Sequence, residues 1–257
     1  MLIELRDVSV SAGGKAILRD ISFAVESGSA CAVLGANGAG KSTLLSVMGG
    51  DIVPHGGKTL LDGRPVEDWS LAARAHVMGM LHQDTTLDFP FDAAEVVLMG
   101  RTPHSDVSMR DNLAICDDVM RALELSELAG RDVTTLSGGE RQRVQIARVL
   151  AQVWDRMGDA VLLLDEPTSA LDLRYQDLVA RLIRQLADAG ATVVAAIHDL
   201  NLAVRNADHI VLLYQGRVLA EGSPIEVMTE ANVGEAYGLP VSVVDIPEHG
   251  RLVLPRN

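Results

Sequence analysis

The segment GANGAGKST, Gly35–Thr43, restricts the possible folds of this chain more than any other stretch. It fits G-x-x-x-x-G-K-[ST] in full. It also follows the apolar run SACAVL (Ser29–Leu34) and opens the helix-like STLLSVMGG, which is the strand-to-helix setting a phosphate-cradling loop requires. In such a loop the backbone N–H groups of Gly35, Ala36, Asn37, Gly38, Ala39 and Gly40 curl around a phosphate chain, and the helix N-terminus adds positive potential. Lys41 then reaches the β and γ phosphates, Ser42 ligates magnesium, and Thr43 completes the motif. The plainer alternative is a glycine turn that caps a helix, but spacing, flanking strand and the Lys-Ser pair together favour the phosphate loop.

The remaining chain is read around that loop. LIELRDVSV (2–10) and AILRDISFAV (16–25) alternate apolar and polar residues about the turn Gly13-Gly14, as an antiparallel pair does. A turn-rich stretch around TLLDG adds another short strand pair, and the β-rich part ends near Gln83. From Phe91 to about Ala129 the pattern is helical, and Val144, Ala147, Leu150, Ala151 and Trp154 form a second helical stripe. Val161–Leu164 and Ala191–Ile197 are buried-strand runs on either side of a helix over 175–188 with Leu178, Leu182 and Leu186 four apart. This is a βαβ unit and hence a parallel sheet. HIVLLYQGRVLAEG is a hairpin followed by a mixed tail.

Composition excludes several classes. With 22 basic against 35 acidic residues the net charge is −13, so no basic face is available in bulk to displace counterions from a nucleic acid. Nucleic acid is not an expected partner. The apolar runs fall far short of the roughly 20 residues of a membrane-spanning helix. Glu4 and Asp7 stand where a signal peptide would carry a positive flank, so a cytoplasmic location is expected. Cys31 and Cys116 have no metal-type or disulfide-type spacing and read as buried thiols.

VLLLDEP (Val161–Pro167) supplies the second half of a phosphoryl-transfer site. Its apolar strand ends at the sheet edge in two carboxylates, Asp165 placed to hold magnesium through water and Glu166 to accept a proton from attacking water. Alone, that pair would read more readily as a helix cap. LSGGE (Leu136–Glu140) precedes RQRVQIAR. There Ser137, Gly138 and Gly139 expose backbone donors at a helix start, and Ser137 with Glu140 is also a capping box; the two readings are compatible.

With LSGGE added to the loop and the carboxylate strand, the sequence resembles the ATP-binding-cassette ATPases over nearly its whole length. The resemblance implies an α/β P-loop NTPase fold of ABC type, in which a mixed, largely parallel central sheet joins an antiparallel β subdomain and an inserted helical subdomain. On that pattern residues 1–257 form a single cassette: 1–85 and 156–257 are the nucleotide-binding core with its β subdomain, and 86–155 are the helical subdomain. The family's signature segment, here Ser137, Gly138 and Gly139, covers the γ-phosphate bound to a second copy, which implies a head-to-tail dimer around two ATP. Gln83 stands at the family's Q-loop glutamine, linking magnesium or water to the helical subdomain. Asp172 in SALD resembles the D-loop, and His198, following ATVVAAI, the switch histidine at the γ-phosphate. The implied cofactors are ATP and Mg2+, with Ser42, Gln83 and Asp165 on the metal and Lys41, Gln83, Glu166 and His198 catalytic. The chain departs from the family at Ala12, where an aromatic residue commonly stacks on adenine.

LDFPFDAAEVVLMGRTPH (87–104) resembles the ATPases of importers of haem, iron–siderophore complexes and cobalamin, in which this region meets a dimeric membrane permease. The 28 positions from Ser137 to Asp165, a few more than the family commonly has, and TSALDLRYQ resemble haemin-import ATP-binding subunits most. The expectation is therefore an ATPase at the cytoplasmic face of the inner membrane, peripheral to its permease and serving a substrate-binding protein indirectly. A ferric siderophore or cobalamin is the alternative cargo. A soluble clamp acting on DNA or translation is less expected, since the chain lacks a coiled coil and a second loop. A P-loop kinase would leave LSGGE and His198 unexplained. The histidines other than His198, namely His55, His76, His82, His104, His209 and His249, are expected to be solvated or hydrogen-bonded rather than haem ligands.

Overall fold

The computed structural model describes residues 1–83, 89–247 and 250–256. Leu87 and Asp88 of the importer-like segment, and His249, lie outside the described residues. Along the chain run β1 (Ile3–Ala12), β2 (Lys15–Val25), β3 (Ala30–Leu34), α1 (Lys41–Met48), β4 (Gly56–Leu61), β5 (Arg64–Pro65), α2 (Leu71–Ala75) and β6 (Met78–Leu81). Next come α3 (Ala93–Met99), α4 (Met109–Ala122), α5 (Gly138–Val153), β7 (Val161–Asp165), α6 (Leu173–Asp188), β8 (Thr192–Ala196) and α7 (Leu200–Asn206). The chain closes with β9 (His209–Tyr214), β10 (Arg217–Gly222), α8 (Pro224–Val227), α9 (Glu230–Tyr237), β11 (Val241–Ile246) and β12 (Gly250–Pro255).

Six strands form the central sheet in the order β10-β9-β3-β8-β7-β6, parallel except where β10 turns back along β9. The apolar runs of β3, β7 and β8 are buried at every position because the sheet is covered on both faces. Leu34, Leu162, Leu164, Ala195 and Leu212 point to the face covered by α3 to α7. Val33, Leu163, Val194 and Val211 point to the other, where they meet α1 and the antiparallel sheet β2-β1-β4-β5.

The alternation in β1 changes phase between Leu5 and Val8, both buried. Asp7 lies there at φ 50°, a bulge tied down by its backbone N–H and carboxylate on the Ser22 hydroxyl. Helix α6 starts at Leu173, earlier than the sequence stripe indicates, because Asp172 caps it by accepting from Tyr175 N–H. The longer connection after α5 is a 3-10 turn over Trp154–Asp159. Its Asp155 pairs at 2.9 Å with Arg101, a guanidinium buried at the end of α3. Both cysteines are buried free thiols, and burial pushes Cys116 up to about 11 and Cys31 higher still. No helix among the described residues is long and apolar enough to cross a membrane.

Candidate active site

Parallel strands deliver the chemistry to one edge. Leu81 of β6 lies opposite Leu164 of β7, and Asp165 lies opposite Ala196 of β8, so the three strands end level with one another. Gln83 is two residues past the end of β6, Glu166 one past β7 and His198 two past β8. This is the crevice outside the carboxyl ends of the strands where open α/β sheets bind ligands. β3 ends at the same edge and releases the glycine loop into α1.

The loop is set by its backbone. At Gly40, the α1 N-cap, φ is 107° and a Cβ would lie 2.8 Å from Leu18 Cδ2, so a side chain there meets both strain and a clash. The first turn of α1 carries no acidic residue to compete with an anion. Lys41 is buried, and its Nζ donates to the carbonyls of Gly35 at 2.8 Å and Ala36 at 3.3 Å. Burial pulls its pKa below the ordinary value, while the Glu166 and Asp165 carboxylates pull it back up.

Asp165 is buried at the end of β7, close to the Ser42 hydroxyl. Burial pushes its carboxyl above the usual range, against the Ser42 hydroxyl and the Lys41 charge. Its Oδ1 is buried with no hydrogen-bond partner among the described residues. An orphaned carboxylate oxygen beside a hydroxyl is a donor set that fits a hard divalent cation. Glu166 stands at φ 51°, a conformation that costs a non-glycine residue free energy, and its N–H donates to the Ala196 carbonyl at 3.1 Å. The turn directs its Oε1 onto Nε2 of His198, with which it is hydrogen-bonded.

A cavity of about 490 Å³ gathers Asn37, Gly38, Gly40, Lys41, Ser42, Thr43, Gln83, Glu166 and His198 around one space. Gly35, Ala36 and Ala39 do not line it: Gly35 and Ala36 offer carbonyls to Lys41, and Ala39 is packed in the core. Nor do Ser137, Gly138, Gly139 and Asp172. Ser137 caps α5 in a capping box with Glu140, which Ser137 holds below the usual carboxylate range, and the Asp172 carboxylate caps α6.

Three contributors escaped the sequence reading. Ile17 on β2 lines both the phosphate cavity and a second one of about 530 Å³, which also shares Gly38 and is walled by Ala12, Lys15, Ala16, Arg19, Gln215 and Gly216. Among the described residues no Phe, Tyr or Trp lines either cavity. Gln215 comes from the β9–β10 turn, far away in sequence, and no local pattern announces it. Gln142 on α5 donates from Nε2 toward the carbonyls of Glu166 at 3.4 Å and Pro167 at 3.5 Å, tying the LSGGE helix to the carboxylate turn. The spacing of LSGGERQ in a helix was its only available signal.

A sequence model of the ABC transporter family matches residues 18–169. Among curated proteins, the hemin import ATP-binding protein HmuV of Pseudomonas fluorescens is 43% identical over 99% of this chain and 100% of its own length. The protein of the same name from Myxococcus xanthus is 44% identical over 100% of this chain and 98% of its own. A solved inward-facing ABC transporter assigned to the metal-chelate type superposes with a TM-score of 0.81 at 28% identity, covering 99% of this chain and 97% of that one. The dimeric structure of a bacterial ABC transporter cassette gives a TM-score of 0.76 at 28% identity, covering 86% of this chain and 98% of that one.

Proposed function

Because the chain belongs to the ABC transporter family, we propose that it is the ATP-hydrolysing subunit that energises uptake of haemin through a membrane permease. The observation that carries the hydrolytic part is the meeting of Lys41, Ser42, Gln83, Glu166 and His198 in one cavity at the ends of adjacent strands. The cargo rests on full-length likeness to proteins named for hemin import.

In this reading the phosphate chain lies in the Gly35–Thr43 loop, and Lys41 exchanges its carbonyl partners for β- and γ-phosphate oxygens. Ser42, Asp165 and Gln83 would hold Mg2+, which neutralises phosphate charge when bound. Glu166 accepts the proton of the attacking water, and His198, bonded to its Oε1, holds that carboxylate in place and contacts the γ-phosphate. Catalysis is then positioning and electrostatics rather than covalent chemistry.

Ser137, Gly138 and Gly139 lie outside this chain's own cavity and serve the nucleotide of a second copy in a head-to-tail dimer, with Asp172 at the junction. Residues 1–85 with 156–257 act as the nucleotide-binding core, and 86–155 as the helical subdomain that meets the permease. Phe89, 68% exposed, and Phe91 open that subdomain as an apolar contact patch. The subunit works on the cytoplasmic face of the inner membrane, and coupling follows from ATP binding the closed dimer better than the open one.

The test is ATP hydrolysis by the subunit reconstituted with its permease and binding protein, with haemin, a ferric siderophore or cobalamin added in turn. Stimulation by haemin alone is expected. Stimulation by another ligand would move the cargo, and no stimulation by any would overturn the transport role.

A further inference from the structure

The chain after β10 touches the site at two separate points. At the first, the phenol oxygen of Tyr237, the last residue of α9, accepts the backbone N–H of Gly35 at 3.1 Å. Gly35 is where β3 leaves the sheet and the phosphate loop begins. Its φ is 146°, and a Cβ there would stand 2.5 Å from the Leu213 carbonyl oxygen, so the backbone path is tightly constrained. The pairing of β3 with β9 extends to Leu34 opposite Leu212, and at the next N–H the acceptor is the Tyr237 hydroxyl. The carbonyl of the same glycine accepts from Lys41. The loop entrance is thus gripped on one side by the C-terminal segment and on the other by the lysine that a phosphate must recruit.

At the second point, Asn201 in the first turn of α7 exchanges hydrogen bonds with the backbone of Val253 in β12. Val253 N–H donates to Oδ1 at 2.8 Å and Nδ2 donates to the carbonyl at 3.4 Å. α7 directly follows His198, and Asp199 caps it by accepting from the N–H groups of Asn201 and Leu202. Asn201 thus links β12 by hydrogen bonds to the helix that follows the His198 turn.

The two points belong to one body. Glu230 at the start of α9 accepts from Val243 N–H of β11 and pairs with Arg256. β11 and β12 are paired from Val241 to Ile246, and Val233, Ala236, Val241 and Val253 share a core with Leu202 and Ala203. We propose that α9 together with the paired strands β11 and β12 is a brace that fixes the phosphate loop relative to the switch-histidine turn, with Tyr237 and Asn201 as positioning residues for ATP hydrolysis. The proposal rests on the ATPase reading above. Burial pushes the Tyr237 phenol above its ordinary pKa, which keeps the hydroxyl protonated.

The experiment is steady-state ATP hydrolysis by the full chain. Tyr237→Phe keeps the ring and removes only the acceptor, leaving the Gly35 N–H unpaired; KM for ATP should rise about 5- to 20-fold with kcat within about twofold. Asn201→Ala should lower kcat about tenfold, because it frees the His198 turn, and raise KM for ATP by less than Tyr237→Phe does. In the double variant the loss in kcat/KM should fall short of the product of the two single losses, since a brace released at one end has less to lose at the other. Amide hydrogen exchange gives a readout at a distance: Gly35 should exchange faster in the Asn201→Ala chain, although Asn201 does not touch it. Wild-type KM in Tyr237→Phe, a multiplicative double variant, or unchanged Gly35 exchange in Asn201→Ala would each overturn the brace while leaving the ATPase reading intact. Absence of hydrolysis by the unsubstituted chain would instead remove that reading and the brace with it.

Discussion

Glu166 shows how much of this site is decided within single residues. The DE pair after an apolar strand is visible in the sequence, but the φ of 51° that turns the second carboxylate onto His198 is not. It is held by the Glu166 N–H on Ala196 and by Gln142 against the carbonyl side, both long-range contacts. Ala12 is the opposite case, because its consequence was readable at once: a methyl group stands where the family commonly has a ring, and the cavity beside the loop is lined by Ala12, Ala16 and Ile17 with Lys15, Arg19 and Gln215. Stacking on one aromatic is worth about 1–3 kcal/mol, so Ala12→Tyr should lower KM for ATP at least about fivefold. Nucleotide titration of the variant checks this, and an unchanged KM would place the base elsewhere.

Among the elements, α3 to α5 are held to one another, and α5 to the central sheet, by polar groups as well as by apolar packing. Arg101 donates from Nε to Asn112 Oδ1 at 2.8 Å and from Nη1 to the Ala151 carbonyl at 2.7 Å, besides its pair with Asp155. Next to it, His104 is buried and donates Nε2–H to the Gln152 carbonyl at 2.6 Å, and Gln152 in turn donates to the carbonyls of Ala75 and Met78. Burial depresses the His104 pKa from 6.5; the Gln152 carbonyl and Asp155 oppose the shift, while Arg101 and His76 add to it. A histidine whose folded pKa lies below its unfolded one contributes stability above pH 6.5 that is lost as the pH falls toward the folded value. Urea unfolding between pH 7.5 and 5 should therefore show declining stability, and His104→Gln should flatten that decline. An equal slope in both chains would mean that other groups carry it. The sequence showed helices here and a connection longer than the family's, yet it did not show that the extra residues place Asp155 under Arg101. That pairing joins residues 54 apart in the chain.

In the whole molecule the LSGGE segment lies outside its own cavity, Ser137 capping α5 and not lining the loop site. Glu166→Gln should halt hydrolysis and, with Mg-ATP, accumulate a dimer of doubled mass in light scattering. Hydrolysis at the normal rate would displace Glu166 as the base, and a halted but monomeric variant would sink the two-copy arrangement. The sequence by itself determined the loop, the carboxylate strand, the LSGGE helix and the alternation of strand and helix, because these are local: glycine conformations, strand periods and cap spacings are fixed within a few neighbouring residues. The tertiary structure alone set β6 beside β7 and β3 between β8 and β9, and so brought Gln83 level with Glu166 and His198. It alone set Gln215 against the loop cavity and joined Tyr237 to Gly35 across 202 positions. Those contacts depend on how two apolar faces of one sheet are covered. That is a property of the packed whole, and no local period encodes it.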